Sequence, residues 1–265
     1  RATMAKVLIK ELQSYKKQYA VPRKTLIDNL EEAVVEEKRI EEMDVVFLMD
    51  RFGYAKTVDV SVYERNKEAA DTENRYILTC KNTDKICIFT NKGQMHLLKV
   101  LDLPYGKFRD KGIPIDNLSN YNSSEENFIY IINLGAIIHS RLLFGTKTAM
   151  LKMVDGSEFD VAKRTTAATK LNEDDELLIV HAMTGEETVV MQSEKEMFLR
   201  IEASTIPEKK KGAVGVRGMK LNAGDALSHI YVLDGESEQT VEVKGKEVVL
   251  NRLHVGNRDT KGTKR

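Results

Sequence analysis

The chain repeats a short pattern of secondary structure along most of its length. Each copy is predicted to be a β-strand, a tight turn and a second β-strand that carries one or two basic residues. Five segments show the pattern: 47–60, 88–100, 143–155, 190–202 and 241–255. Repeats of about 40–50 residues that contain several strands are typical of propeller-like blades. The pattern therefore predicts an all-β array of about five four-stranded blades. The alternative is a β-sandwich whose hairpins resemble one another by coincidence.

A second, different pattern supports the same repeat length. It occurs in segments 111–118, 167–178 and 216–227, where it aligns Leu118, Leu171 and Leu221. The turns of the five hairpins align at Gly53, Gly93, Thr148, Glu196 and Glu247. Two unlike patterns that keep one spacing of roughly 50 residues fit a true repeat better than chance.

The first 32 residues show a helical pattern rather than the β pattern of the rest of the chain. Residues 4–19 read as an amphipathic helix, because apolar side chains recur near three- and four-residue spacing with Lys and Glu opposite. Pro22 ends this helix, and a second, shorter helix is expected from Arg23 to about Glu32. We therefore expect a helical segment at 1–32 and a β domain at 33–265.

Composition narrows the class of protein further. The 265 residues include 41 Lys or Arg and 41 Asp or Glu, so the formal net charge is zero, and 42% of residues are hydrophobic. This balance excludes a disordered chain. No stretch approaches the ~20 apolar residues of a membrane span, and no signal peptide is recognised. Cys80 and Cys87 are too few for a disulfide scaffold or a four-cysteine zinc site, so a reducing cytoplasm is expected.

Three stretches carry a family resemblance. IFTNKGQMHLLKVLDLP (88–104) with KGIPIDNL (111–118), and GAVGVRGMKLNAGDAL (212–227), resemble the C-terminal repeats of the A subunit of bacterial type IIA topoisomerases. IKELQSYKKQYAVPRKTLI (9–27) resembles the end of the coiled-coil arm that precedes this domain in gyrase and topoisomerase IV. The resemblance implies a β-pinwheel, a propeller-like disc whose blades exchange strands and whose basic rim binds duplex DNA.

The same resemblance implies partners and cofactors that lie outside this chain. The A subunit forms a homodimer through upstream regions and works with an ATPase B subunit, and ATP and Mg²⁺ are used by that partner and by the cleavage core. The tyrosine nucleophile of the family also lies upstream, and none of the nine tyrosines here has a matching context. The resemblance implies a cytoplasmic, nucleoid-associated protein with no membrane partner.

One stretch departs from the gyrase pattern. Gyrase has a basic, glycine-rich heptapeptide after the first hairpin, whereas residues 62–70 read VYERNKEAA. In gyrase that heptapeptide is associated with tight DNA wrapping and negative supercoiling. Its replacement favours a topoisomerase IV-like A subunit, and a gyrase A subunit is the alternative.

Basic residues cluster beside glycines at the spacing of the repeat. Because duplex DNA presents one phosphate charge per ~1.7 Å of axis, a binding surface needs cations along one track. Equivalent loops of successive blades would supply such a track, while residues 171–208 hold ten acidic and two basic residues. The predicted DNA-binding residues are Lys107, Arg109, Lys111, Lys163, Arg164, Lys170, Lys209, Lys210, Lys211, Arg217, Lys220, Arg258, Lys261 and Lys264. The neighbouring glycines (Gly112, Gly212, Gly215, Gly218 and Gly262) are expected to bring backbone amides close to phosphates and to tolerate positive φ.

Two other interpretations of these clusters stay open. They are either ordinary solvated loops or the binding surface of a propeller-like protein-interaction module with an acidic partner. Sequence-specific DNA readout is not expected, because no helix-turn-helix, zinc finger or basic zipper is present. The glycine-rich stretch 212–218 lacks the spacing and the following helix of a nucleotide-binding loop. The five histidines lack zinc-ligand spacing, so neither a catalytic residue nor a cofactor is assigned to this chain.

Overall fold

The computed structural model describes residues 2–22, 24–25 and 40–265. The chain divides into two compact units, Arg1–Ile40 and Glu41–Arg265. The first contains helix α1 (Ala2–Tyr19), which confirms the helix predicted over 4–19. Lys16 and Lys17 lie in its last turn, where cations interact favourably with the helix dipole. The second helix expected from Arg23 falls outside the described residues, apart from Lys24 and Thr25.

The second unit is built from β-strands, three short α-helices and short 3₁₀ turns. The helices are α2 (Val60–Arg65), α3 (Lys67–Glu73) and α4 (Leu134–Ile137). The strands are β1 (Asp44–Met49), β2 (Tyr54–Asp59), β3 (Tyr76–Lys81), β4 (Lys85–Thr90), β5 (Gln94–Lys99), β6 (Tyr105–Gly106), β7 (Ile113–Pro114), β8 (Phe128–Asn133), β9 (Arg141–Thr146), β10 (Met150–Asp155), β11 (Thr165–Ala167), β12 (Leu177–Met183), β13 (Thr188–Ser193), β14 (Met197–Glu202), β15 (Val216–Arg217), β16 (Leu227–Leu233), β17 (Thr240–Val243), β18 (Lys246–Val249) and β19 (Thr263–Lys264). In the described part of the chain, no helix is both long and apolar enough to span a membrane.

Five antiparallel hairpins form the framework, as the repeat predicts. They are β1–β2, β4–β5, β9–β10, β13–β14 and β17–β18. In the first four, one turn residue has positive φ: Gly53, Gly93, Ala149 and Glu196. Two aligned turn positions are therefore wrong. Thr148 precedes the equivalent residue by one, and Glu247 lies inside β18, after the turn at Lys244 and Gly245. The turn at Ala149 contains no glycine, so the sequence alignment of the repeats placed this turn position one residue too early.

Each of the first four hairpins is completed by two further strands, one of which comes from beyond the next hairpin in the chain. The next strand of six or seven residues after a hairpin pairs with the hairpin's first strand: β3 with β1, β8 with β4, β12 with β9 and β16 with β13. The hairpin's second strand pairs with a short strand from beyond the next hairpin: β7 with β2, β11 with β5, β15 with β10 and β19 with β14. This exchange of strands between neighbouring sheets is the β-pinwheel arrangement that the resemblance implies.

We name the completed sheets blades 1 to 4, in order of the hairpins β1–β2, β4–β5, β9–β10 and β13–β14. Blade 1 also contains β6, which runs parallel to β2. In the described residues the fifth hairpin, β17–β18, forms a two-stranded sheet. Strands β3, β8, β12 and β16 contact one another from blade to blade, so they form the inner edge of the array. The exchanged strands lie at the opposite end of each sheet, which we call the outer edge.

The hairpin strands of the four blades are apolar on both faces because each face is covered by a neighbouring sheet or, in blade 1, by helices. In β4, Ile86 and Ile88 face blade 1, whereas Cys87 and Phe89 face blade 3. The ring of Phe89 is in T-shaped contact with Phe159, at 5.2 Å between centroids. Strand side chains alternate between faces with period two, so burial on both faces gives continuous apolar runs rather than alternation. Stacked sheets therefore account for the strand texture of the sequence.

The two ends of the array are covered differently. Helices α2 and α3 pack on the free face of blade 1, where Val46 and Leu48 contact a cluster that includes Val62, Tyr63 and Ala70. The carboxylate of Asp59 accepts a hydrogen bond from Ser61 N (2.7 Å) and so begins α2. The stretch that departs from gyrase thus lies in two short capping helices. At the other end, the fifth hairpin packs one face on blade 4 and leaves its polar face to solvent.

Candidate nucleic-acid interface

The predicted basic clusters lie on the exchanged chain segments at the outer edges of blades 1 to 4. In blades 1, 3 and 4 this segment first forms a parallel bridge to the hairpin's second strand, at Tyr105, Glu208 and Val255. It returns eight residues later as an antiparallel strand, at Ile113, Val216 and Thr263. The residues between form what we call edge loops: 106–112, 209–215 and 256–262. Blade 2 has no equivalent bridge, and its segment 163–167 runs straight beside β5.

A glycine closes each edge loop because the backbone returns against the strand. A Cβ on Gly215 would lie 2.4 Å from Leu151 O, and one on Gly112 would lie 2.8 Å from Ala55 O. Side-chain atoms cannot occupy such distances, so only glycine allows this approach. Neither these glycines nor Gly212, Gly218 or Gly262 have positive φ. The tolerance of glycine for positive φ is therefore not used at these positions. For Gly112 and Gly215, close approach to a neighbouring strand is what requires glycine.

Most of the predicted cations are exposed and make no ion pair within 4.0 Å among the described residues. They lie on the exchanged segments of all four blades, although within the three edge loops only Lys111 and Lys261 occupy the same position of the loop. By blade, they are Lys107, Arg109 and Lys111; Lys163, Arg164 and Lys170; Lys209 and Lys220; and Lys261 and Lys264.

The remaining predicted cations are engaged within the protein. Lys210 Nζ lies 3.4 Å from Glu158 Oε1, and Lys211 Nζ donates to Glu158 O at 2.7 Å. Arg217 Nη1 lies 3.4 Å from Asp259 Oδ1, and Arg258 Nη1 donates to Arg217 O at 2.9 Å. The last two contacts join the outer edges of blades 3 and 4.

These two outer edges also share backbone hydrogen bonds. Asp259 N donates to Gly218 O at 2.8 Å, and Lys220 N donates to Thr260 O at 3.0 Å. The edge loop of blade 4 is therefore hydrogen-bonded directly to the exchanged segment of blade 3. Cations on the two blades lie on one connected surface.

A second set of cations supports the edge loops from beneath, and the sequence analysis did not assign it. Lys152 in β10 is only 1% exposed, and its Nζ donates to Lys210 O, Lys211 O and Ala213 O at 3.2, 2.9 and 2.8 Å. Burial lowers the pKa of Lys152 to about 8, while the nearby Glu158 carboxylate opposes that change. The sequence feature that could have identified Lys152 is a lysine inside an otherwise apolar run of β10.

Two acidic residues of 171–208, Asp175 and Glu176, hold hairpin turns. Asp175 is buried and accepts hydrogen bonds from Thr148 N and Oγ1. Glu176 lies between Lys147 and Lys92, at 2.5 and 2.9 Å, and hydrogen bonds from these two lysines lower its pKa to about 2. These two carboxylates are thus engaged in internal contacts at the hairpin turns, while Glu158 and Asp259 contact cations at the outer edge.

Comparisons with known proteins agree with this architecture. The family model "DNA gyrase C-terminal domain, beta-propeller" matches residues 140–182 and 187–234, which lie in blades 3 and 4 and their connections. Among solved structures, the C-terminal domain of DNA topoisomerase IV matches with a TM-score of 0.75 and 22% identity, over 84% of this chain and 73% of that one. The C-terminal domain of E. coli ParC gives a TM-score of 0.69 and 15% identity, over 84% and 94%. The fold is that of type IIA topoisomerase C-terminal domains.

Relatives by sequence extend the match to nearly the whole chain. The DNA gyrase A protein of Lawsonia intracellularis is 27% identical over 97% of this chain and 33% of its own length. The DNA gyrase A protein of Staphylococcus epidermidis is 29% identical over 96% and 30%. Family model, sequence relatives and fold therefore all support a resemblance to the C-terminal domains of bacterial type IIA topoisomerase A subunits. The chain spans about a third of the length of the gyrase proteins that it matches.

Proposed function

We propose that this domain binds duplex DNA, without sequence preference, along the outer edges of blades 1 to 4. The observation that carries the proposal is that exposed cations without an ion pair among the described residues recur on the outer-edge segments of all four blades. Lysine and arginine side chains so arranged can follow a phosphate backbone, and smooth bending of 20–30 bp costs ~1–6 kcal/mol, which several charge contacts can offset. The domain would then present a bent duplex to the cleavage core of the A subunit.

The test reverses one exposed cation in each edge loop. We expect the triple variant Lys107→Glu, Lys209→Glu, Lys261→Glu to bind random-sequence duplex at least ~100-fold more weakly, and to lower the slope of log affinity against log salt by about 3. These lysines are preferable to Lys210 and Lys211, because Glu158 contacts both of the latter. Filter binding between 50 and 200 mM salt measures both quantities.

A matched control makes the same change of charge elsewhere. Lys6→Glu, Lys10→Glu, Lys17→Glu alters three exposed residues of α1, outside the β unit. This control should bind DNA as the unaltered chain does. If the edge-loop variant also keeps the original affinity and salt dependence, the outer edge is not the DNA-binding surface.

We also propose that the full-length protein is topoisomerase IV-like. The support is the stretch after the first hairpin, which forms α2 and α3 on blade 1 rather than a glycine-rich basic loop. In this proposal the A subunit forms a homodimer, acts in the cytoplasm with an ATPase B subunit, and uses ATP and Mg²⁺ outside this domain. An assay of the full-length protein with its ATPase partner on relaxed plasmid tests it. Introduction of negative supercoils would instead identify a gyrase A subunit.

A protein-interaction module is the second candidate function. Within residues 41–265, the large hydrophobic side chains that are exposed all belong to blade 1 or the chain leading into or returning to it: Met43, Phe52, Tyr54, Leu101 and Tyr105. A concentration of apolar side chains on one blade is typical of a protein contact. If the chain binds no duplex at low salt, this interpretation is favoured over DNA binding.

A further inference from the structure

Blade 3 buries a lysine directly beneath its edge loop. Lys152 lies in the middle of β10, opposite Phe144, with its ammonium 5.6 Å from the centroid of that ring. Its Nζ donates to three carbonyl oxygens of one loop, those of Lys210, Lys211 and Ala213. An ammonium group has three protons to donate. The edge loop alone therefore satisfies the whole hydrogen-bonding capacity of Lys152.

Stability alone does not account for a lysine at this position. In the described part of the chain no carboxylate lies within 4.0 Å of Lys152 Nζ, and Glu158 instead binds Lys210 Nζ and Lys211 N. A buried charge without an ion-pair partner is unfavourable, and well-packed apolar residues often replace such groups with no loss of stability. The contacts of Lys152 are all directed at the backbone of the loop, so the loop is what the charge organises.

Blade 1 repeats the arrangement independently. Lys56 occupies the same place in its hairpin, opposite Leu48, and donates to Phe108 O and to Asp110 O (2.9 Å) of the edge loop 106–112. At the corresponding position, blade 4 has the apolar Leu199, and blade 2, which has no edge loop, has His96. Two loops of equal length thus have the same kind of cation beneath them.

We propose that Lys152 is a positioning residue for DNA binding, and that Lys56 has the same role in blade 1. This inference rests on the proposed function. Lys152 fixes the loop backbone at three carbonyls, while Lys209 and Lys210 stay exposed on the outer side of the same loop. A loop that is ordered before binding loses less conformational entropy when it meets the phosphates. The buried ammonium thereby strengthens binding without touching DNA.

The test replaces Lys152 by an apolar side chain of similar length in this 265-residue chain. We expect Lys152→Met to weaken duplex binding ~10-fold and to reduce the salt dependence, because the lysines of the loop are no longer held together. The backbone amide NMR signals of Gly212 and Gly215 should shift or broaden in the absence of DNA. Urea unfolding should change little. Lys10→Met on α1 removes one exposed charge and serves as the matched control, with affinity, salt dependence and loop signals unchanged.

Each outcome bears on the inference separately from the proposed function. If Lys152→Met binds as Lys10→Met does while the unaltered chain binds well, the inference is overturned and DNA binding stands. A lowered unfolding midpoint with unchanged affinity of the folded protein would show a structural role only, and would also overturn it. If Lys152→Met fails to fold, Lys56→Met tests the same role in blade 1, with a ~3-fold loss of affinity expected. If the unaltered chain does not bind duplex, the proposed function itself fails.

Discussion

Blades 2 and 3 have the same hairpin but complete it differently. In blade 3 the exchanged segment pairs with β10 at Glu208, moves away from it as the loop 209–215 around Lys152, and pairs with β10 again at Val216. In blade 2 the segment runs straight, and the equivalent residue, His96, bonds to the side chain of Thr165 (3.1 Å). An ammonium with three donors can organise a loop of backbone carbonyls, whereas an imidazole between two side chains fastens a single strand. Between blades 2 and 3 this position therefore changes together with the presence of the loop, whereas blade 4 keeps its edge loop with Leu199 at the same position.

The residue on the exchanged segment that faces Lys152 or His96 also differs between the two blades. Gly215 in blade 3 corresponds to Thr165 in blade 2. Glycine lets the returning backbone approach Leu151, while the threonine hydroxyl supplies the bond to His96. The two blades thus pair lysine with glycine and histidine with threonine. The pairing suggests that the loop of blade 3 depends on both members.

The strongest test of this comparison adds one methyl group to Gly215. We expect Gly215→Ala to lower the free energy of unfolding by about 3 kcal/mol, because its Cβ would lie 2.4 Å from Leu151 O, a backbone atom that cannot move away freely. Gly212→Ala, in the same loop, meets nothing within 4 Å and should change that free energy by no more than ~0.5 kcal/mol. Urea denaturation measures both. Equal effects of the two substitutions would contradict a close approach at Gly215.

The second test compares His96 of blade 2 with Lys152 of blade 3, which occupy the same position in their hairpins. We expect His96→Leu to lower the free energy of unfolding by about 2 kcal/mol, because Thr165 and Glu126 would lose a buried hydrogen-bond partner. Lys152→Met should change it by no more than about 1 kcal/mol, since Lys210, Lys211 and Ala213, whose carbonyls lose this donor, are exposed or only partly buried. The same denaturation series compares the two. A larger loss for Lys152→Met would mean that blade 3, like blade 2, uses this residue to hold the fold.

The sequence repeat predicted the hairpins well but could not predict how they are completed. Continuous apolar runs such as Ile86–Phe89 mark strands that are buried on both faces, so the hairpins follow from local pattern. The exchanged strands are two or three residues long, and β15 lies in a glycine-rich loop. Such short strands have no periodicity of their own and are defined by pairing with a distant hairpin. The pinwheel topology was therefore predicted from the family resemblance and not from the residue pattern.

The candidate site divides in the same way. Exposed lysines beside glycines are visible in the sequence, and their placement on successive outer edges follows from the repeat. Whether a given lysine is free is a tertiary property, and Lys211 and Arg217 have internal partners that no local pattern indicates. Lys152 is the opposite case, because a lysine in a strand reads as a solvated side chain until the sheet is closed by a distant loop. The supporting cations were therefore overlooked while the exposed ones were identified.

The smallest expected effect concerns a contact that blades 2 and 3 share. Glu176 joins the hairpin turn of blade 2 at Lys92 to that of blade 3 at Lys147. Hydrogen bonds from Lys147 and then Lys92 lower its pKa from 4.5 to about 2, so its contribution to stability is complete above pH 4.5 and is lost as the pH falls through about 2. We expect Glu176→Gln to lower the free energy of unfolding at neutral pH by about 1 kcal/mol, less than the pKa change implies, because both lysines are partly exposed.

The pH dependence distinguishes this contact from a generic loss of charge. The difference in unfolding free energy between the unaltered chain and Glu176→Gln should shrink steadily from pH 4.5 towards pH 2, as protonation removes the charge of Glu176. Glu125→Gln changes an exposed carboxylate that makes no ion pair within 4.0 Å among the described residues, so it should match the unaltered chain throughout. A difference for Glu176→Gln that is independent of pH would mean that neutral hydrogen bonds, rather than the carboxylate charge, connect the turns of the two blades.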